Sequence, residues 1–342
     1  MPNHDSASEE SAAILRMAFA FVTSQVLYVA ADLGIADHLA EEPRSARDLA
    51  ATLRLDPDAL ARLARALVAF GILTVEAEHF ALTPVGQLLR SDSPRSLRAA
   101  VGFLAGPWAW RAFELLGHSV RSGESSFEHV WGMSNFEYWR RNPEVSAIHD
   151  EAMTALTTTE IARVVDAYDF APFHNIVDVG GGNGALLAAI LRRQPAAKGS
   201  LMDLPHVVDL APTVLREAGV EARCEVVSGS FFETVPAGGD LYLLKHIIHD
   251  WDDARSCTIL TNCGHAMGLD SRLLIIDRVL SDEPNAAEPM GYLVDMTMLA
   301  MTPGGRERTK SQFRALLSSA GLRFERTISV GGICDIVEAR RM

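Results

Sequence analysis

The feature that most constrains the fold is nine residues long. Ile176-Val177-Asp178-Val179 reads as a buried strand, and Gly180-Gly181-Gly182-Asn183-Gly184 turns it into a helix beginning near Ala185. Glycines here permit positive φ and let another molecule come close to the backbone. A strand that enters such a turn and leaves it as a helix is the opening crossover of a doubly wound α/β sheet. The chain after it keeps the same rhythm. Short apolar runs at Asn175–Val179, Ser200–Met202, Glu225–Val227, Leu241–Leu244 and Leu273–Ile276 alternate with helical segments. That alternation predicts a mostly parallel sheet with helices on both faces. Arg323–Val330 and Ile333–Ala339, joined through Gly331-Gly332, predict a closing antiparallel hairpin.

The part before residue 169 is different. The first ten residues are polar and are expected to fray, and Ile14 to about Leu39 has a helical pattern with more apolar surface than one small domain needs. A second copy of the chain is the expected cover, so a homodimer is predicted. Ser45-Ala46-Arg47-Asp48 resembles a capping box, and Asp56-Pro57 offers an N-cap followed by an N1 proline. Leu60, Leu63, Ala64, Leu67 and Val68 then form one buried stripe, which Gly71 closes. Leu73–Val75 and His79–Leu82 follow as a short hairpin. Two helices and a hairpin make a winged-helix pattern, which suits either DNA binding or dimerisation. Between Glu41 and Ala100 eight arginines face eight acids, so the basic stripe of a DNA reader is missing. The expected organisation is a winged-helix-like dimerisation domain over 1–105, a helical linker and substrate lid over 106–168, and a Rossmann-like domain over 169–342.

Composition narrows the partners. The 342 residues carry a net charge of -13, which opposes general attraction to nucleic acid or anionic membranes. No apolar run is expected to reach the roughly 18 to 20 residues that span a bilayer. The richest stretch, Met17–Ala31, is broken by Thr23-Ser24-Gln25 and lacks the basic start of a signal peptide. Four cysteines without CxxC spacing point to a reduced, cytoplasmic protein.

Two further segments carry chemistry. Asp203 ends the strand after the glycine turn, where a carboxylate either caps a turn or accepts hydrogen bonds from a ribose. Gly180-x-Gly182-x-Gly184 has its third glycine one residue early for a dinucleotide fingerprint, which favours a cofactor without a pyrophosphate. Leu244-Lys245-His246-Ile247-Ile248-His249-Asp250-Trp251 falls at the carboxyl edge of the sheet, where open α/β proteins place their sites. His249 there suits a general base for an aromatic hydroxyl. His246 and His249 could instead be a metal pair, or a histidine could serve the core.

Taken together with Asp203-Leu204-Pro205-His206-Val207 and Pro303-Gly304-Gly305-Arg306-Glu307-Arg308-Thr309, these motifs resemble the caffeic-acid-type, plant-like O-methyltransferases and their bacterial relatives in aromatic natural-product pathways. The resemblance covers nearly the whole chain. It implies S-adenosylmethionine as cofactor, S-adenosylhomocysteine as product, no metal, a homodimer and a small aromatic substrate. It implies that Gly180 and Gly182 hold the methionine end, Asp203 the ribose and Phe231 the adenine, with Lys245 as an anchor. Asp178, Leu204 and Ser230 complete the expected cofactor set. It implies His249 as base, with Glu307 and Asp277 holding and polarising it. Ser230 stands where the family often has an acid, and Asp277 where it often has the longer Glu.

Phe136, Trp139, Met153, Met296, Met298 and Met301 are the expected wall against a flat substrate, with Asp250 beside them; packing in the core is the alternative for several. Other activities in view are N-methylation, a decarboxylase or hydroxylase of the same fold that does not transfer methyl, and a DNA-binding regulator.

Overall fold

The computed structural model describes residues 4–286, 289–332 and 334–342. The chain forms two compact units: Met1–Arg111 with Trp139–Leu156, and Ala112–Tyr138 with Thr157–Met342.

The first unit opens with one helix, His4–Asp32. The helix runs from His4 onward, through most of the polar start that the sequence predicts to fray. Positions 1–3 lie outside the described residues. The expectation about apolar length also needs correction. Glu9–Asp32 is long and apolar enough to cross a bilayer by length and composition, because three polar residues in one turn do not offset the apolar residues around them. Gln25 finds a partner distant in sequence: its side-chain amide donates to the Ala105 carbonyl at 3.1 Å. Ile14, Leu15, Met17, Phe19 and Phe21 are all more than half exposed.

Helices Ala46–Leu53 and Pro57–Ala69 follow. Ser45 accepts from the Asp48 N–H, and Asp56 accepts from the Ala59 N–H, so both expected caps form. Strands β1 (Arg44–Ser45), β2 (Leu73–Glu76) and β3 (His79–Leu82) make a small sheet in the order β1-β3-β2. Leu49, Leu60, Ala64, Leu67, Leu73 and Phe80 are the buried core beneath it.

The second unit is built on seven strands. β4 (Asn175–Val179), β5 (Lys198–Asp203), β6 (Cys224–Ser228), β7 (Leu241–Lys245) and β8 (Arg272–Asp277) run parallel. β9 (Val279–Leu280) and β10 (Arg308–Thr309) pair separately, also parallel. β11 (Leu322–Ser329) and β12 (Asp335–Arg341) form the antiparallel hairpin, and β12 joins β8 antiparallel. The sheet order is β11-β12-β8-β7-β4-β5-β6. The expected hairpin thus forms, with its first strand ending one residue early at Ser329 and its second running on to Arg341; Ile333, the expected second start, lies outside the described residues.

Alternation along the strands explains the two buried faces. Ile176, Leu241, Leu243, Leu274 and Ile276 pack with Leu187, Ile190 and Leu191 of helix Ala185–Arg193. Val177, Tyr242, Leu244, Leu273 and Ile275 pack on the opposite face with Ile259 and Leu260 of helix Asp253–Ala266 and with Phe313 and Leu317 of helix Lys310–Ser319. The carboxyl ends of β4, β5, β7 and β8 all open on one edge, and the candidate chemistry collects there.

Candidate active site

The glycine turn is shaped by its neighbours. Gly180, Gly182 and Gly184 have φ of 70°, 59° and 79°, the left-handed region that glycine occupies without strain. A Cβ on Gly180 would meet Ile247 Cδ1 at 2.6 Å and Phe231 Cε1 at 3.2 Å. A Cβ on Gly182 would meet nothing within 4 Å, so this residue faces open space. The Gly182 N–H donates to Asp203 Oδ2 at 2.9 Å, and the Leu204 N–H donates to Oδ1 at 2.7 Å. Asp203 therefore ties the turn to the end of β5, and burial pushes its pKa up. Leu204 beside it is exposed. Asp178, on β4 beneath the turn, is buried; desolvation, opposed by Lys245, raises it to about 7.

Phe231 lies by the turn, edge-on to Phe232 (4.9 Å) and Trp251 (6.4 Å). Asn262 donates to the Phe231 carbonyl at 2.9 Å and fixes that loop. The Ser230 hydroxyl turns back to accept from the Phe232 N–H at 3.3 Å.

The second cluster lies where β7 ends. His249 sits on the short 3-10 turn Ile248–Asp250. Its Nδ1 is 3.0 Å from Glu307 Oε1, 3.9 Å from Asp277 Oδ1, and its Nε2 is 3.7 Å from Asp250 Oδ1. Glu307 makes the hydrogen bond, while Asp277 acts on His249 through charge at longer range. Burial works against the imidazolium, but Asp277, Asp250 and Glu307 outweigh it and raise His249 to about 10.

Asp277 is fully buried at the end of β8 and stands between two imidazoles. His246 Nδ1 lies 3.6 Å away, and the His246 and His249 rings stack at 5.2 Å. The other His246 nitrogen, Nε2, is 2.8 Å from Glu160 Oε2, and Lys245 Nζ is 3.5 Å from the same oxygen. Burial opposes ionisation of Glu160, yet His246 and Lys245 hold its pKa low; burial lowers that of Lys245. Lys245, expected as a cofactor anchor, is thus paired with Glu160. Sequence reasoning missed Glu160, which comes from helix Pro143–Ala167 and has no motif around it.

What holds this turn is the Pro303–Thr309 motif. Arg308 is 1% exposed, and its guanidinium donates to the carbonyls of Ile248 (2.8 Å) and Trp251 (2.9 Å) and to Asp253 (2.8 Å). The Arg306 N–H donates to the His249 carbonyl at 2.8 Å. A Cβ on Gly305 would lie 2.6 Å from that carbonyl oxygen, so glycine lets the two segments touch. Asp295 accepts from the Glu307 N–H at 2.8 Å and sets the height of the acid. Arg308 and Asp295 were given no role by the sequence reading. Arg308 lay within a motif already noted; no signal singled out Asp295.

The expected substrate wall divides. Phe136 stacks on Trp251 at 5.4 Å and 18°, which brings it to the His249 turn. Met296, Met298 and Met301 lie on helix Pro289–Met301 in the same unit, with Met301 buried and the other two half-buried. That helix is fixed by Ser125, whose hydroxyl donates to the Ala300 carbonyl at 2.9 Å. Trp139 and Met153 belong to the other unit, where Trp139 packs on Phe103 (5.7 Å) and His149 (4.2 Å).

Comparison with known proteins places this geometry. Residues 113–323 match the model of an O-methyltransferase domain, and residues 15–92 that of an O-methyltransferase dimerisation domain. The dimerisation match takes in the exposed apolar helix and the segment for which DNA binding was an open reading. The chain is 42% identical to a phenazine O-methyltransferase, PhzM, of Lysobacter antibioticus, covering 96% of both chains. It is 39% identical to a mitomycin biosynthesis 6-O-methyltransferase of Streptomyces lavendulae, over 93% of this chain and 91% of that one. A solved O-methyltransferase from neocarzinostatin biosynthesis, bound to S-adenosylmethionine and 2-hydroxy-5-methyl naphthoic acid, superposes with a TM-score of 0.81 at 32% identity, over 94% of this chain and 96% of that one. The chain belongs to the S-adenosylmethionine-dependent O-methyltransferases that carry a dimerisation domain ahead of the catalytic one.

Proposed function

We propose that this protein, a cytoplasmic homodimer, methylates a hydroxyl on a small, polycyclic aromatic natural-product intermediate, with His249 as the base. The observation that carries the reading is the meeting of the two clusters. Ile247, two residues before His249, is the side chain that a Cβ on Gly180 would strike. The base turn and the glycine turn are therefore in contact at one sheet edge.

The residues at that edge fit S-adenosylmethionine. The open face at Gly182 receives its methionine end, the Asp203 carboxylate its ribose hydroxyls, and Phe231 its adenine. S-adenosylmethionine supplies a sulfonium-bound methyl and leaves as S-adenosylhomocysteine. The remaining work belongs to the protein. Holding the acceptor oxygen in line with the methyl contributes much of the acceleration. His249 donates its Nδ1–H to Glu307, which leaves Nε2 to take the hydroxyl proton. The carboxylates of Glu307 and Asp277 then stabilise the imidazolium that forms. A phenol has a pKa of about 10, and His249 is held at about 10, so the proton passes between matched groups. The same match means that His249 must first be neutral, and the neutral fraction grows as pH rises toward that value.

The test is incubation of the purified protein with S-adenosylmethionine and a panel of phenazinols, phenolic polycycles and simple phenols, read by product mass. The expected product is one methyl heavier on oxygen. Transfer to ring nitrogen alone, or loss of carbon dioxide without methyl gain, would overturn the reading.

A further inference from the structure

We propose that His246, His249 and Asp277 form a binding site for zinc or a similar late first-row divalent cation, and that occupancy switches the base off. One ligand atom from each of His246, His249 and Asp277 lies within 4.8 Å of the others. The nearest approaches are 3.6 Å (His246 Nδ1 to Asp277 Oδ1) and 3.9 Å (His249 Nδ1 to Asp277 Oδ1). A tetrahedral ion with bonds of about 2.0 Å needs its ligands about 3.3 Å apart, a few tenths of an ångström closer than these. Small side-chain shifts close the set.

The polar accounting points the same way. His246 Nδ1, both Asp277 oxygens and Glu307 Oε2 are buried without a hydrogen-bond partner. Asp277 is 0% exposed. His246 Nδ1 and Asp277 Oδ1 face each other at 3.6 Å, and buried polar atoms of this kind call for a partner. The back of the site is also built. His246 gives its other nitrogen to Glu160 at 2.8 Å, the carboxylate–histidine arrangement that sets the tautomer of metal-binding histidines.

The consequence for activity follows from the tautomer. A cation on His249 Nδ1 displaces the proton shared with Glu307. The neutral ring then carries its proton on Nε2, the nitrogen that must be free to accept the hydroxyl proton. Binding of the ion stands apart from the proposed reaction; only its inhibitory effect rests on it.

The test uses full-length protein freed of metal with a chelator. One equivalent of cobalt(II) is expected to give the visible bands of a four-coordinate nitrogen–oxygen site, and zinc to bleach them at one ion per chain. Calorimetry should show zinc affinity falling at least tenfold in His246→Gln and unchanged in His129→Ala, which disrupts the stacked His118–His129 pair. Absence of the cobalt bands in the wild-type protein, or equal zinc affinity in His246→Gln, overturns the site, and neither result depends on an acceptor being known. Once an acceptor is in hand, stoichiometric zinc should stop transfer and chelator should restore it. Full activity with zinc bound would overturn the switch while leaving the methyl-transfer reading intact.

Discussion

The glycine turn and the His249 cluster sit at the same sheet edge and are made in opposite ways. The first is a backbone construction: three glycines at positive φ, two N–H groups on Asp203, and open space at Gly182. The second is built from side chains on four separate segments: Glu160, the 245–250 turn, Asp277 and Glu307. A backbone site holds its shape through local conformation. A side-chain site depends on segments far apart in sequence, and its behaviour is set by charge.

Substitutions can break this contrast. The largest effect is expected at His249: His249→Ala should lower kcat by about a thousandfold, while calorimetric affinity for S-adenosylhomocysteine stays within about twofold. A matching loss of affinity would merge the two clusters into one. Arg308→Met removes a buried guanidinium from two carbonyls and an acid, and should cost about 3 kcal/mol in urea unfolding. An unchanged midpoint would show that the Pro303–Thr309 motif does not hold the turn. Gly182→Ala places a methyl in open space at positive φ, so the fold should survive with a strain of about 1 kcal/mol. Cofactor affinity should fall by about tenfold, with the pH dependence of turnover unmoved. The smallest effect belongs to the first unit. Asp56→Ala removes an N-cap bond to the Ala59 N–H and should cost about 1 kcal/mol, with kcat unaltered.

The same contrast explains what could be read from the residues alone. The glycine turn was legible because strand, turn and helix are adjacent in sequence, and each glycine is required where it stands. His249, Asp277 and Glu307 were reached through the motifs around them, but their distances were not: Glu307 bonds the histidine, while Asp277 lies between two rings. Glu160 was invisible, since a lone acid on a 25-residue helix has no local mark. Asp295 was hidden for the same reason. Thr23-Ser24-Gln25 reads as a break in the apolar run of the first helix, yet those residues fit a single turn, and Glu9–Asp32 keeps the length and composition to cross a bilayer.

The central claim is that carboxylates around His249 set the pH at which it becomes a working base. The direct measurement is the pH dependence of single-turnover methyl transfer in wild-type protein and in Glu307→Gln. Glu307 raises the His249 pKa, so the wild-type rate should climb through the alkaline range, above the ordinary histidine value of about 6.5. Removing that charge should move the inflection to lower pH by about one unit or more and lower the plateau. Superimposable profiles, or a shift to higher pH in Glu307→Gln, would contradict the assignment.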